Sequence, residues 1–444
     1  MEVKNLLACE TSSISIQFLH MRQLVFGILL LFFSSFAFSQ PAESQEAHQE
    51  EQIDQNLVVS KINFIGLKKT RPSYIGSKVA KFTGNSIAET DMHGLETAIQ
   101  LEGLFDDIQI STEQISETEA QIMVSVKEKI TFIPLPFAMY SSAGFMAGGI
   151  VMDTNAFGRK DMFMIGGFFS STAKTGMASF VKQSQTKGVP GVSLFLSVSK
   201  NSPKYYNLDD DEVLKYKAFS FEVGLKLSEK IGENFTFSNG FGFTYHNSKD
   251  ERVESITEGS TSIGFAYAKS DWNGVFMSTN SASVNAEVGL TNSEDKAYRF
   301  PLEFSALITE QHPIFIDRLR LYQRYSGVYG YKNHISGFKG REAGSVTILP
   351  GNFSTERIVG GNLGLEVAIA KFRWGMISLY SDYQVVYAQD FELTGDGDYE
   401  FCHGPNGGAK FYLAKIAVPA LAMGVSYNVT KNYWQFAAAV GVSF

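Results

Sequence analysis

The chain has 444 residues and a formal net charge of -8, and only 19% of its residues are charged, although it contains 37 Phe, 19 Tyr and 40 Gly. Such an acidic chain lacks the basic surface that nucleic-acid phosphates require, which excludes nucleic acid as a partner. Its two cysteines, Cys9 and Cys402, are too few for a disulfide framework. The composition is unusual for a cytosolic enzyme and common where Gly and aromatic residues alternate on strands.

The N-terminus carries the pattern of an export signal. A short basic region starts at Met21, the apolar run "LVFGILLLFFSSFAF" follows, and Ala37 and Ser39 are small residues ahead of a cleavage site. This run is shorter than the about 20 apolar residues of a spanning helix, which favours cleavage. We predict a signal peptide over 1–39, with Met21 as an alternative start, and a polar acidic linker over 40–55.

Residues 56–128 predict a small α+β domain. A strand ends at Gly66, Pro72 opens a helix, and Ser86 with Glu89 forms a capping box for a second helix. Two strands with alternating apolar residues then complete the domain. The predicted order is strand, helix, helix, strand, strand, in a segment long enough to bury a small core of its own.

From residue 129 to residue 444 the chain alternates apolar and polar residues with the period of two that marks strands. Sixteen such segments start near residues 132, 145, 161, 177, 191, 216, 235, 256, 275, 298, 318, 357, 378, 409, 420 and 433. Roughly 20 residues per strand and loop suit strands that cross a bilayer. We therefore predict a transmembrane β-barrel of about sixteen antiparallel strands, with a large soluble β protein as the alternative.

Several motifs resemble the BamA-like superfamily of outer-membrane assembly and translocation proteins, the bacterial surface antigen family. "INFIGLKKT", "GLF" at Gly103–Phe105 and "IMVSVKEK" are similar to one POTRA domain, and "DTNAFGRKD" is similar to the family's early "NLFGRGD" turn. "ISGFKGRE" matches the family's "VRGF" loop between the eleventh and twelfth barrel strands. The resemblance implies one POTRA domain in the periplasm, followed by a barrel in the outer membrane of a Gram-negative bacterium.

The resemblance also implies a loop inside the barrel that faces acidic residues of the wall. The loop motif comprises Ile335, Ser336, Gly337, Phe338, Lys339 and Arg341, and the acidic wall partners are Glu366 and Asp382. Ser336 replaces the family's loop arginine. Because an unpaired charge in a narrow lumen is costly, we expect Lys339 or Arg341 to pair with these carboxylates instead. The alternative is a solvated surface loop.

The resemblance implies two further features. Alternating aromatic and apolar residues at the C-terminus form an insertion signal that comprises Phe436, Val440, Val442 and Phe444. Client polypeptides of the family enter by strand pairing at a weak seam between the first and last strands. The strand edge at "IQISTEQ" is a second candidate for peptide binding, with a passive spacer as the alternative.

Catalytic and metal-binding motifs give no positive signal. The histidines are scattered, without HExxH spacing, and the sequence has neither a GxSxG elbow nor a P-loop. The acidic segments "NLDDDEV" and "GDGDYE" lack the twelve-residue spacing of a calcium loop, so we interpret them as solvated loops. We therefore predict neither an enzyme nor a cofactor or metal site.

The leading functional prediction is an outer-membrane barrel that inserts, assembles or translocates polypeptides. Its expected partners are membrane lipid, client polypeptides and accessory proteins. One alternative is a passive pore or structural barrel without assembly activity, and another is a dedicated secretion pore for one partner protein. The replaced loop arginine and the single POTRA domain argue against the usual assembly activity, but all three functions need the same barrel.

Overall fold

The structure is a computed structural model that describes residues 54–440, except 101, 183, 185–187, 274–275, 294–297, 373–374, 394–396 and 414–418. The predicted signal peptide lies outside the described residues, as do nearly all of the linker and Val442 and Phe444 of the predicted insertion signal. In the part of the chain that is described, no helix is long and apolar enough to cross a membrane.

The N-terminal domain has a three-stranded sheet and two helices, in the order expected from its sequence. Its elements are β1 (Val58–Ile65), α1 (Pro72–Val79), a 3-10 turn (Ala80–Phe82), α2 (Met92–Gln100), β2 (Phe105–Gln114) and β3 (Glu119–Glu128). The sheet order is β1–β3–β2, with β1 parallel and β2 antiparallel to β3. Ile75 and Leu95 of the helices and Ile122 of β3 are completely buried and form the core of this domain.

The start of α2 differs from the expected capping box. Ser86 and Glu89 form a separate turn, in which the Ser86 Oγ accepts a hydrogen bond from the Glu89 N–H at 3.3 Å. Asp91 caps the helix instead, because its Oδ1 accepts a hydrogen bond from the Gly94 N–H at 2.7 Å. A side-chain oxygen three residues before a free N–H satisfies the helix end, and Asp91 meets that condition as well as a serine does.

The barrel has sixteen long antiparallel strands in the described part of the chain. They are β4 (Phe132–Ser141), β5 (Gly144–Asp153), β6 (Met162–Ser170), β7 (Ala173–Lys182), β8 (Gly191–Asn201), β11 (Ala218–Lys230), β12 (Phe235–Ser248), β13 (Ile256–Asn273), β14 (Phe276–Ser293), β16 (Leu302–Ile314), β17 (Ile316–Tyr331), β20 (Arg357–Phe372), β21 (Gly375–Gln389), β22 (Tyr399–Leu413), β23 (Pro419–Asn428) and β24 (Tyr433–Val440). The short strands are β9 (Lys204–Tyr206), β10 (Glu212–Lys215), β15 (Tyr298–Arg299), β18 (Lys339–Gly340) and β19 (Ser354–Thr355).

The sixteen predicted segments correspond to the sixteen long strands, and the prediction of a barrel is confirmed. The largest error is in β22, which begins at Tyr399 rather than near residue 409. The first part of this strand reads "YEFCHGPNGG", and glycine and proline are depleted in strands, so its alternation is hard to recognise. Partners on β21 hold this part of β22 in the sheet, from Gln389↔Tyr399 to Tyr380↔Gly408.

The outer surface of the barrel is apolar, and from β11 to β24 its inner surface is largely polar apart from an apolar patch under the lumenal loop. On β20, Val359, Leu363 and Leu365 are exposed on the outer surface, whereas Glu366 points inward and is completely buried. On β21, Asp382 also points inward. A soluble barrel would show the reverse pattern, so this outer surface is suited to lipid rather than to water.

Closure of the barrel depends on β24 and β4. In the described residues these strands pair at four positions, from Ala437↔Ser141 to Val440↔Ala138, whereas β13 and β14 pair along their whole length from Ile256↔Ser293 to Asn273↔Phe276. We call this contact the seam.

The N-terminal domain contacts one rim of the barrel, which we call the near rim. Lys69 Nζ lies 2.5 Å from Asp153 Oδ2, and Asn155 Nδ2 donates to Thr70 Oγ1 at 3.0 Å. Gly158 has φ 72°, and a Cβ atom there would lie 2.2 Å from the Lys69 carbonyl oxygen. The motif "DTNAFGRKD" is therefore the turn that joins the domain to the barrel, which its sequence did not predict.

Candidate functional site

The loop between β17 and β20, residues 332–356, folds into the lumen from the opposite, far rim. It contains two 3-10 turns, Ile335–Gly337 and Arg341–Gly344, and the paired short strands β18 and β19. Its residues Val346, Ile348, Leu349 and Phe353 are buried in one cluster with the inward-facing wall residues Ile358, Val386, Ala388 and Cys402. The middle of the loop therefore lies inside the barrel and packs against its wall.

The wall holds the backbone of this loop through polar side chains. Gln384 Oε1 accepts hydrogen bonds from the Thr347 N–H at 2.6 Å and the Ile348 N–H at 3.2 Å. The Ser426 hydroxyl donates to the Thr347 carbonyl oxygen at 2.9 Å, and Asn362 Nδ2 donates to the Ser345 carbonyl oxygen at 2.7 Å. These wall side chains are uncharged.

The expected pairing of a loop cation with the acidic wall residues is wrong. Arg341 Nη1 donates to the carbonyl oxygens of Thr347 at 3.1 Å and Leu349 at 2.7 Å, so it braces the loop itself. Burial of the guanidinium lowers the pKa of Arg341. Lys339 Nζ lies 3.0 Å from Glu303 Oε2, on β16. Arg341 bonds these nearby carbonyl groups, and both carboxylate oxygens of Glu366 are already paired with residues of the wall.

Glu366 is neutralised by residues of the wall. Its Oε2 lies 2.5 Å from Arg320 Nη2 and 3.3 Å from Lys410 Nζ. Its Oε1 accepts hydrogen bonds from the Ser378 hydroxyl at 2.5 Å and the Tyr412 hydroxyl at 2.8 Å. We call these five residues the wall cluster. Each carboxylate oxygen has two partners, so the cluster is complete without the loop.

Asp382 lies between the wall cluster and the loop. Tyr322 and Asn406 donate to its Oδ2 at 2.7 and 2.8 Å, and Gln384 Nε2 donates to its Oδ1 at 2.8 Å. The same Gln384 side chain accepts from the loop backbone through its Oε1. Asp382 thus orients the amide that holds the loop and bonds no loop cation directly.

Arg320 and Lys410 are the site residues that the sequence reasoning missed. Arg320 lies directly opposite Glu366 in the pairing of β17 with β20, and Lys410 lies opposite Ser378 in the pairing of β21 with β22. A signal was present in the sequence, because Arg320 alternates with Leu319 and Leu321 and therefore points inward. Arg320 could have been found by listing the Lys and Arg residues that alternation places on the lumen-facing side of the strands near Glu366.

Ser336, at the position of the family's arginine, binds a neighbouring histidine. The His334 Nδ1 accepts hydrogen bonds from the Ser336 N–H at 3.2 Å and its hydroxyl at 2.7 Å, so His334 caps the first 3-10 turn. The ring of His334 lies 5.4 Å from the ring of His246 on β12. Burial, together with the nearby His246, lowers the pKa of His334 to about 4.

Loops at the far rim close over the lumen. Ile335 and Phe338 of the loop motif pack against a cluster that contains Tyr205 and Phe391, and Gly337 lies between them in the chain. In the acidic segment between β9 and β10, Leu208 is completely buried in the same cluster as Phe353. These contacts join three far-rim loops into one cap.

The acidic segment is also held by charge, through a lysine in the far-rim turn between β23 and β24. Asp209 Oδ1 lies 2.8 Å from Lys431 Nζ, which also lies 2.6 Å from Glu400 Oε2. The Leu208 N–H donates to Asp390 Oδ1 at 2.7 Å. The segment is therefore a docked part of the cap rather than the solvated loop that its composition suggested.

The remaining candidate residues lie at the barrel seam and at the sheet edge. Phe436 points outward and is exposed, and Val440 is the last described residue of β24, paired with Ala138 across the seam. The strand edge at "IQISTEQ" belongs to β2, an outer strand of the N-terminal sheet.

Comparisons with known proteins agree on the fold. The sequence matches no family profile and no curated protein. The structure is similar to the crystal structure of BamA from Haemophilus ducreyi lacking POTRA domains 1–3, with a TM-score of 0.63, 13% identity, and coverage of 86% of this chain and 84% of that chain. It is also similar to CdiB from Acinetobacter baumannii (TM-score 0.58, 12% identity, 87% and 74% covered) and to CdiB from Escherichia coli (0.55, 11%, 95% and 97%). The resemblance inferred from the motifs is confirmed at the level of the fold.

Proposed function

We propose that this chain, which has the fold shared by BamA and CdiB, is an outer-membrane protein that assembles or translocates polypeptides. The observation that carries the proposal is the long loop folded inside a closed sixteen-stranded barrel. A permanently open passive pore needs a clear lumen, whereas here the loop and the cap occupy it. A barrel whose lumen is occupied by a loop can still act on a client polypeptide if the loop moves when the client binds.

The lengths of the connections between strands support an orientation in the membrane. At the near rim, the single residue Phe315 connects β16 and β17, whereas at the far rim residues 332–356 connect β17 and β20. Outer-membrane barrels have short periplasmic turns and long extracellular loops. This asymmetry supports a periplasmic near rim, and with it a periplasmic N-terminal domain, which we propose is a POTRA domain.

Two features offer places where client polypeptides could pair. The seam is where the first and last strands of the barrel meet, so an additional strand could pair there through backbone hydrogen bonds. The outer strand β2 of the N-terminal sheet presents unpaired backbone groups on the periplasmic side. Backbone pairing makes little demand on the client's sequence, which suits a protein that handles polypeptides.

Translocation through the lumen is the second form of the proposal. It is favoured by the uncharged contacts between Gln384, Ser426 and the loop, because the loop can leave them without stranding a buried charge. Insertion at the seam would need no such movement of the loop.

The test combines depletion with a reversible lock. The Ser326 and Ser345 hydroxyl oxygens lie 2.6 Å apart, so the double variant Ser326→Cys, Ser345→Cys is expected to form a disulfide that ties the loop to β17. Depletion of the chain should remove a set of polypeptides from the outer membrane or from the medium, measured by quantitative proteomics. Complementation with the locked variant should fail, and a reducing agent should restore it.

The outcomes separate the alternatives. An unchanged census after depletion would contradict an assembly or translocation role and favour a structural barrel. If depletion changes the set of polypeptides but the locked variant still restores it, the clients pair at the seam and do not need the loop to move. The single variant Ser326→Cys is the matched control, since it cannot form the crosslink.

A further inference from the structure

The first five barrel strands, β4 to β8, have an apolar inner face. Phe163 and Phe169 of β6 are exposed on the outer surface, so alternation turns Met164 and the other inward residues of this strand into the lumen. The register carries this inward side across the sheet, from β4 to β8. We call it the apolar wall. Six of the 13 methionines of the chain lie on it, namely Met139, Met146, Met152, Met162, Met164 and Met177.

The side chains of the apolar wall are open to the lumen. All six methionines are half-buried rather than buried, and Leu135 on β4 and Phe195 on β8 are 37% and 40% exposed. Apolar residues under the loop differ, since Ile358 and Val386 are only 3% and 1% exposed. An extended apolar patch that a protein leaves uncovered marks a surface that binds a partner.

The composition of the apolar wall restricts its ligand to uncharged, apolar groups. Within β4 to β8, which the structure describes in full, no charged side chain points into the lumen. A phosphate or carboxylate bound there would lose hydration without gaining an ionic partner. Methionine side chains are flexible and polarisable, so a methionine-rich surface adapts to apolar side chains of different shapes.

The position and spacing of the apolar wall favour an extended polypeptide as that ligand. Strand β4 forms one side of the seam, so the apolar wall begins where the barrel closes. Along β6, Met162 and Met164 are successive inward residues, roughly 7 Å apart. A strand that lies beside the apolar wall presents the side chains of one face at the same spacing. A lipid acyl chain is also apolar, but its headgroup would find no charged partner on this wall.

We propose that the apolar wall binds extended client segments that carry apolar residues at alternate positions, as transmembrane strands do. The apolar side of such a segment contacts the methionines and is thereby shielded from lumenal water next to the seam. The proposal rests on the proposed function, and it narrows the clients to polypeptides that themselves form membrane-spanning strands.

The test uses the full-length protein in lipid nanodiscs, because detergent would compete for an apolar surface. The probe is a synthetic peptide of residues 235–245, "FTFSNGFGFTY", which alternates in this way and has no charged side chain. It carries a fluorophore at its C-terminus, and binding is measured by fluorescence anisotropy against empty nanodiscs. The triple variant Met146→Ser, Met164→Ser, Met177→Ser should weaken binding by about tenfold or more, because each change removes apolar contact area.

Two controls separate apolar contact from other effects. The triple variant with leucine in place of serine at the same three positions keeps the apolar surface, and it should bind the peptide within about twofold of the unaltered protein. A second peptide has the same composition but groups its aromatic residues at one end, and it should bind more weakly because it cannot present them on one face of a strand. A diazirine in the first peptide should crosslink to β5, β6 and β7.

The serine variant should still form a barrel, because Ser179 and Ser197 already face the lumen on β7 and β8. Heat-modified gel mobility checks this, and if the triple variant does not fold, Phe195→Ser gives the same test with an expected decrease of about threefold.

Three results would overturn the proposal. The first is equal binding by the serine variant and the unaltered protein, and the second is equal binding of the two peptides. The third is a diazirine-labelled acyl chain of the nanodisc lipid that crosslinks to the apolar wall and is not displaced by the peptide, which would make lipid the occupant. The proteomic census after depletion is a separate measurement, so the proposed function can fail while peptide binding is observed, and the reverse.

Discussion

Two neighbouring parts of the lumen are built on different principles. In the wall cluster, Glu366 is paired with two cations of the wall and is completely buried. Beside the loop, Gln384, Ser426 and other uncharged wall side chains hold the loop by hydrogen bonds to its backbone. Asp382 bonds Gln384 directly, and it is linked to the wall cluster through Tyr322, whose ring centroid lies 5.4 Å from Lys410 Nζ. The charges stabilise the wall, and the neutral groups hold the loop against it.

A cation on the wall rather than on the loop changes the free-energy cost of moving the loop. If a loop arginine neutralised Glu366, each departure of the loop would leave a buried carboxylate unpaired, at a cost of several kcal/mol. With Arg320 and Lys410 on the wall, that cost does not arise. The loop of this chain should therefore leave the lumen more easily than a loop that carries its own ion pair.

The largest expected effect is the loss of barrel stability in Glu366→Ala. This change leaves Arg320 and Lys410 buried without their anion, and breaking a buried pair in this way costs about 3–5 kcal/mol. Thermal unfolding followed by the heat-modified gel mobility of the barrel should show a clear decrease in melting temperature. Glu222→Ala, on an inward position of β11, is the control for removing a lumenal carboxylate. An equal decrease in both variants would contradict a special role for Glu366.

The next prediction concerns which cation is coupled to Glu366. A double-mutant cycle of Arg320→Ala with Glu366→Ala should give a coupling free energy of about 1 kcal/mol or more, because the two residues share one network. The cycle of Arg341→Ala with Glu366→Ala should be additive, since Arg341 bonds the loop backbone. Both cycles are read from barrel melting. Coupling of Glu366 to Arg341 rather than to Arg320 would reverse the assignment of the wall cluster.

For Gln384→Ala we expect a smaller loss of barrel stability than for Glu366→Ala, but a larger increase in protease cleavage of the loop. The variant loses the acceptor for the Thr347 and Ile348 N–H groups. Leaving a buried donor without its partner costs about 1–3 kcal/mol, which weakens the docking of the loop. Trypsin should then cleave at Lys339 or Arg341 faster than in the unaltered protein, while the melting temperature changes less than in Glu366→Ala. Gln435→Ala, a buried inward residue of β24, is the matched control and should leave the loop protected.

The docking of the loop should also depend on pH through His334. Its pKa falls from the ordinary 6.5 to about 4 in the docked loop, mainly because of burial. Between these values the undocked state binds more protons, so docking weakens as pH falls from about 6.5 toward about 4. The equilibrium should shift by roughly a hundredfold at most, measured as the rate of proteolysis at Arg341 with a protease active over this range.

The variant His334→Asn isolates this group. Asparagine keeps an acceptor for the Ser336 N–H and is a good cap, so the turn should persist. The dependence of cleavage on pH should disappear with it. If the dependence remains, another group must account for it, with His246, whose ring lies 5.4 Å from that of His334, as the first to replace.

The smallest expected effect is at the joint between the N-terminal domain and the barrel. Glu128 accepts hydrogen bonds from the Lys69 and Thr70 N–H groups at 2.8 Å each, and the side chains of Lys69 and Thr70 in turn contact Asp153 and Asn155 of the barrel. Burial raises the pKa of Glu128, but these bonds outweigh it and the pKa is lowered from its ordinary 4.5. The joint is therefore stabilised above pH 4.5 and weakens as the pH falls through the lowered pKa.

Glu128→Gln should mimic this loss at neutral pH. We expect a few-fold faster cleavage by trypsin after Lys129, equivalent to about 1 kcal/mol, with barrel melting unchanged. Glu117→Gln, in the exposed turn between β2 and β3, is the matched control. Identical cleavage rates for both variants would show that Glu128 does not hold the joint.

Much of the fold could be predicted from the sequence, for a local reason. Alternation places successive side chains on opposite faces of a strand, so Leu363 and Leu365 had to share one face and Glu366 had to lie on the other. The same rule located all sixteen barrel strands, although the Gly- and Pro-rich start of β22 concealed ten of its residues. Local turn chemistry was less reliable, since Asp91 rather than Ser86 caps α2.

The sequence by itself determined which residues face the lumen, and only the tertiary structure decided which of them meet. Arg320 and Glu366 are 46 residues apart and become partners because β17 pairs with β20 in one register, and a shift of one residue would turn either side chain outward. Lys410 reaches the same carboxylate from β22, two strands away from β20. Arg341 bonds carbonyl groups of its own loop because the loop's folded path places them within its reach. Alternation is a property of each short segment, whereas register and loop path depend on the closed barrel as a whole.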